Sequence, residues 1–438
     1  MKNAAAVLAV CALAACGNPS PPCPAGQTQC ESTCTSLQTD AQNCGSCGNA
    51  CGNGQSCVAA KCTTLTCDHP DMFAACWVGG GVTGVCSDTG IPTGTAVVAL
   101  APGDAGTVNG VVPQFSSAVF ASSSRLWLLD EENNQIDIVD VSSWPPTAVF
   151  AIGAAPGDSA YSVTQLSACD GMILALRTAT PVLEAYQPTT PYTLLGQVSL
   201  ASDAGYQFPA AMACDGQQTV YVTDSANNTL TSVDLGTFTV TAQTTLPASD
   251  QLPPLPDGGV IMPYLTGVAV ASSLTGGKVL VSLENLGPSY APVADSSVFE
   301  VDPGLTTWSS PIDPVQCLNV FQIAISADHA TAYLACAGIF DSAGATTVQP
   351  YNDAGALGVV TVAGGIAKPT VMTSLSNPAS VALLKNGLVA LGDFSPQSEV
   401  GFYNPVDGGI ATVAVNCPVL PDGGLYPNQG VTAVVAAP

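Results

Sequence analysis

The chain has 438 residues, and its 32 acidic and seven basic side chains give a formal net charge of −25. A surface this acidic repels phosphate backbones and anionic membrane surfaces alike, which excludes nucleic acid as a partner. Apolar residues make up 47% and charged residues 9%, too apolar for acidic disorder, and 43 glycines with 34 prolines favour a turn-rich β fold over a helical one.

The first element is a short leader. Lys2 precedes an apolar run from Ala4 to Ala15, well below the ~20 residues needed to cross a bilayer. The run ends in Leu13-Ala14-Ala15-Cys16, with small residues ahead of the cysteine, and this order resembles the bacterial lipoprotein signal. The resemblance implies cleavage before Cys16, lipid attachment at Cys16 and export to the outer membrane or cell surface. Residues 1–15 are then the signal peptide, and the proline-rich residues 16–22 are a tether leading away from the bilayer.

Next comes a cysteine-dense stretch. Cys23, Cys30, Cys34, Cys44, Cys47, Cys51, Cys57 and Cys62 lie among few large apolar residues besides Leu37 and Val58, so cross-links must substitute for a hydrophobic core. The central Asn43-Cys44-Gly45-Ser46-Cys47-Gly48-Asn49-Ala50-Cys51 resembles small Cys-rich modules near the N-termini of surface lipoproteins in myxobacteria and related deltaproteobacteria. Cys44-x-x-Cys47 followed by Cys51 also has zinc-like spacing. The stretch contains no histidine, however, and export favours disulfides. Residues 23–90 are read as this module and its connection, which carries Cys67, Cys76 and Cys86.

The remainder, residues 91–438, is read as a repeat. Apolar strands beginning at Arg125, Met172, Thr219, Lys278, Ala332 and Gly387 recur at intervals of roughly 50 residues. Each follows a strand of small apolar residues, such as Ala210-Ala211-Met212-Ala213 or Ile323-Ala324-Ile325-Ser326. Third strands such as Gln135-Ile136-Asp137-Ile138-Val139-Asp140 alternate in polarity, as a sheet with two distinct faces requires. The pattern predicts an all-β protein, a β-propeller preceded by the disulfide-rich module. Val220-Tyr221-Val222-Thr223-Asp224-Ser225-Ala226-Asn227-Asn228-Thr229 is similar to the repeats of YVTN-type propellers, the class that includes lactonases.

The chain ends in one more strand of the innermost type, Gly430 to Ala436, with nothing after it to complete a sheet. Pairing with Thr95 to Leu100 and with Val108 to Val112 would build a mixed seventh blade and remove both free edges. Seven blades are therefore favoured, with six as the alternative. Such closure brings Cys417 near Cys67, Cys76 and Cys86, where two bridges would form. It leaves Cys169 to pair with Cys214 on the neighbouring blade, and Cys317 with Cys336.

Chemistry is thinly signalled. Asp130, Asp224, Glu284 and Asp393 each follow a second strand, where residues of different blades converge on one channel. Together they would suit a divalent cation such as Ca²⁺, as a hydrolase of the lactonase type requires. A channel lined by Ala, Val and Ser would exclude that reading. The histidines, His69 and His329, accompany no nucleophile motif, so no catalytic residue and no organic cofactor is assigned. The favoured function is a lipid-anchored envelope scaffold that binds a protein or glycan partner.

Overall fold

The computed structural model describes residues 23, 28–30, 33–35, 37, 43–51, 55–58, 60–64, 72–76, 82–85, 98–99, 115–130, 135–142, 147–153, 163–201, 207–248, 261–272, 277–287, 292–314, 316–338, 355–362, 364–368, 371–373, 375–394, 399–415 and 431–436. Two compact units divide the chain, Met1–Leu65 and Thr66–Pro438. Cys16, Cys67, Cys86, Cys417 and His69 lie outside the described residues.

The first unit is built from two small antiparallel hairpins, Thr28–Cys30 with Thr33–Thr35 and Gln55–Val58 with Lys61–Thr64. Cys30 bridges to Cys47 and Cys51 to Cys62. Among the described residues of this unit, only Cys30 and Cys44 are buried hydrophobics, so the cross-links do the work of a core. Gly45 is fixed by geometry. Its φ is +73°, and a Cβ there would lie 2.6 Å from the Ala60 carbonyl oxygen.

The second unit is a β-propeller. Six sheets are each made of strands consecutive in the chain, beginning with the inner strands Phe115–Ser122, Val163–Cys169, Pro209–Cys214, Met262–Ala271, Val320–Ile325 and Pro378–Leu383. The seventh sheet is composite. Val431–Ala436 is its inner strand and pairs antiparallel with Met72–Cys76, followed outward by Val82–Val85 and Val98–Ala99. Each inner strand contacts the next around the ring, and Val431–Ala436 meets Phe115–Ser122 to close it.

Period-two alternation explains why the middle strands read as continuous apolar runs. In Arg125–Asp130, Leu126 and Leu128 pack with Phe73 and Ala75 of the seventh blade, whereas Trp127 and Leu129 pack with Leu166 and Ile173 of the second. A blade is covered on both faces by its neighbours, so both faces must be apolar. A buried cluster fills every interface between adjacent blades.

The structure moves the expected start of the propeller. Met72–Cys76 and Val82–Val85, read from sequence as connection, are blade strands, so the propeller begins well before residue 91. All five residues of Met72–Cys76 are buried; its short run is hidden in the sequence by the surrounding cysteines. Val98–Ala99, expected to partner the C-terminal strand, is instead the outermost strand of that blade. Val108 to Val112 lies outside the described residues.

Candidate functional site

Every inner strand carries a register shift near its start, between Phe115 and Ser117, Val163 and Gln165, Pro209 and Ala211, Leu265 and Val268, Val320 and Gln322, Pro378 and Ser380, and Val431 and Ala433. A bulge leaves a residue unpaired and re-aims its side chain. Here Ser116, Thr164, Ala210, Phe321, Ala379 and Thr432 are the unpaired residues of six blades, and all line one central cavity of about 450 Å³. Ser117, Gln165, Ala211, Gln322, Ser380 and Ala433, one position further along, line it as well.

The same positions latch the blades together. Ser117 Oγ accepts the Leu166 N–H at 3.0 Å, Gln165 Oε1 accepts the Met212 N–H, and Gln322 Oε1 accepts the Val381 N–H at 2.9 Å. Thr266 Oγ1 donates to the Val320 carbonyl at 2.7 Å, joining the fourth blade to the fifth. Ser380 holds the equivalent position of the sixth blade. It is 4% exposed, and its Oγ has no hydrogen-bond partner among the described residues. Ser116 Oγ is likewise buried without one. Among the described residues, none that lines the cavity is ionisable.

The four carboxylates singled out in the sequence lie elsewhere. Asp130, Asp224 and Asp393 end the second strands of their blades, opposite Phe115, Pro209 and Pro378. Asp224 Oδ1 accepts the Phe208 and Ala226 N–H groups, both at 2.9 Å, and its Oδ2 accepts Asn227 Nδ2 at 2.8 Å. Asp393 Oδ1 accepts the Asn377 N–H at 2.7 Å. The shared role is local, since each of these two caps the backbone just before its inner strand. Glu284 sits in another register, opposite Tyr264 and on the face that carries Leu280 and Ser282. Burial pushes its carboxyl up to about 8, and Oε1 has no hydrogen-bond partner among the described residues. None of the four lines the cavity. Among the described residues, no three carboxylates converge within ligand distance of one another.

Cys44, Cys51 and Cys62 do come together, but Cys51 and Cys62 are already joined as a disulfide, which removes the thiolates a zinc ion needs. Cys169 bridges to Cys214 across neighbouring blades, and Cys317 to Cys336 beneath the fifth inner strand. Cys23, Cys44 and Cys76 are also disulfide-bonded. His329 stands in a tight turn with φ of 58°, where its N–H donates to the Ser326 carbonyl.

Sequence reasoning passed over Gln165, Phe321, Gln322 and Thr432. Each lies at or beside a bulge, where the period of two breaks and a strand reading loses its frame. The available signal was a glutamine, the one long polar side chain in its strand, in Val163–Cys169 and again in Val320–Ile325.

Residues 6–65 match the model of the stigma-specific STIG1-like protein family. The match covers the Cys-rich module and leaves the propeller untouched. Comparison with curated proteins found no match. Among solved structures, the chain is similar to one titled Kuenenia stuttgartiensis Hydrazine Synthase, at 12% identity over 67% of this chain and 77% of that one, with a TM-score of 0.46. A likeness at that level carries no argument about activity.

Proposed function

We propose that this protein is an exported envelope protein, anchored by lipid at Cys16, whose propeller is a binding module for a protein or glycan partner rather than a hydrolase. The anchor rests on Leu13-Ala14-Ala15-Cys16 and on the disulfides, which persist in an oxidising compartment. The binding reading rests on one observation: among the described residues, the cavity where inner strands converge is lined by hydroxyls, carboxamides, apolar side chains and phenyl rings, with no carboxylate, imidazole or amine. A hydrolase needs a group there that activates water or polarises a carbonyl. Asp224 and Asp393 each commit their Oδ1 to backbone N–H groups instead.

Two measurements test this reading. Cells expressing the chain and fed a labelled fatty acid should label the wild type and leave Cys16→Ser unlabelled; equal labelling would overturn the anchor. The purified chain, offered a panel of lactones with and without Ca²⁺, should show no turnover above solvent. Saturable, Ca²⁺-dependent turnover lost in Asp393→Asn would establish the hydrolase.

A further inference from the structure

On the premise that the channel is a binding site, we propose that its ligand is an uncharged saccharide terminus of one or two rings, seated against Phe321 and hydrogen-bonded by Gln165 and Gln322. The donors are set by the fold. Gln165 Oε1 and Gln322 Oε1 each accept a backbone N–H from the next blade, a task only the carbonyl oxygen can perform. The orientation of both carboxamides is thereby fixed, and each keeps its Nε2 hydrogens for something else. Both residues line the cavity, and neither Nε2 makes a hydrogen bond among the described residues. Each Nε2 can therefore donate to a ligand oxygen without giving up a hydrogen bond that holds the blades.

The apolar half of the site is aromatic. Phe321 lines the cavity and is 41% exposed, and Phe394 lines it too. The negative face of a phenyl ring attracts the partly positive C–H hydrogens on the flat face of a sugar ring, while the sugar's edge presents hydroxyls. One ligand thus uses the ring and the amides together.

Charge narrows the class further. An anionic ligand would approach a chain of net charge −25 against the field and meet no cation among the described lining residues. A cationic ligand would find no carboxylate among them. Among neutral ligands an extended peptide is disfavoured, because strand addition needs an unbroken row of backbone groups and each inner strand is interrupted by its register shift. At about 450 Å³ the cavity falls within the size range of small-ligand sites.

The test is isothermal titration of the full mature chain with two panels. One contains neutral hexoses, N-acetylhexosamines and their disaccharides; the other contains acetylated, amidated tripeptides of Ala, Ser and Phe. At least one saccharide should saturate. Phe321→Ala should weaken it by tenfold or more, and Gln322→Glu, which keeps the acceptor for the Val381 N–H and removes the amide donor, by roughly tenfold. Unchanged melting temperatures show that both variants fold. Saccharide binding indifferent to both substitutions would place the sugar elsewhere and overturn the proposal. Tripeptide binding sensitive to Phe321→Ala, with no saccharide bound, would overturn the saccharide class and leave the binding channel standing. Silence from both panels would overturn the channel as a binding site as well.

Discussion

The two units of this chain solve the same problem by different means. Among its described residues the Cys-rich unit buries two hydrophobic side chains, both cysteines, and it is held by bridges such as Cys30–Cys47 and Cys51–Cys62. The propeller buries a cluster at every blade interface, and its bridges, Cys169–Cys214 across one pair of blades, Cys317–Cys336 within the fifth blade and one at Cys76, add to that burial. Covalent closure suits a unit too small for a core, whereas the larger unit closes by pairing its ends, Val431–Ala436 with Met72–Cys76.

The sharpest way to break the comparison is to remove that closing strand. A chain truncated before residue 431 would expose Met72, Ala74 and Val400, now buried in the interface between the sixth and seventh blades, and the free edge of Met72–Cys76. The expected outcome is loss of the cooperative thermal transition of the propeller and concentration-dependent aggregation, read by calorimetry and light scattering. The hairpins of the Cys-rich unit should keep their hydrogen-exchange protection. A propeller that melts normally without the strand would show that closure contributes little.

Reduction acts the opposite way. Each native bridge in a small domain is worth about 2–5 kcal/mol, more than a unit whose described residues bury so little apolar surface can lose. Thiol reductant should abolish hydrogen-exchange protection at Thr28–Thr35 and Gln55–Thr64 while the propeller strands stay protected. Simultaneous loss in both units would mean that the propeller also depends on its bridges.

The same contrast explains what could be read from the chain. The second strands were legible because a blade covered on both faces needs runs such as Leu126 to Leu129, and closure followed from a terminal strand with no successor. Met72–Cys76 was not legible as a blade strand, because five residues between cysteines look like more of the module. The channel was hidden for another reason. Its lining residues sit where bulges break the period of two, so Gln165 and Gln322 could be placed only once the register was known. The carboxylates misled because an aspartate at a strand end reads equally as a ligand or as a cap. The Asp224 and Asp393 contacts show caps.

The propeller core also holds acids that a cross-linked surface module has no place to bury. Burial, reinforced by nearby Asp130, lifts Asp137 to about 7, and burial lifts Glu284 to about 8. A carboxyl raised in the folded state binds a proton that the unfolded chain has already released. Its stabilising effect is complete below the unfolded value near pH 4 and disappears as pH climbs through the folded value. The propeller's melting temperature should therefore fall between about pH 4 and about pH 8 and level off above that. Glu284→Gln should flatten the upper part of that fall and stabilise the fold at pH 9 by about 2–4 kcal/mol. An unchanged pH profile in the variant would show that Glu284 reaches water.

The smallest expected effect separates capping from metal binding at the strand ends. Asp393 is 1% exposed and its Oδ1 holds the Asn377 N–H, so Asp393→Ala leaves a donor without its acceptor and should cost about 1–3 kcal/mol in denaturant titrations. Asp393→Asn keeps an oxygen in the same place and should cost under about 1 kcal/mol. A metal site predicts another order. Asparagine would lose the charge that holds a divalent ion, added Ca²⁺ would raise the wild-type melting temperature, and both substitutions would erase that rise alike. Because Asp224 makes the matching contact with the Phe208 N–H in the third blade, three blades from Asp393 in the sixth, a cap must also give additive losses when both aspartates are changed, whereas a shared ion would make the second loss nearly free.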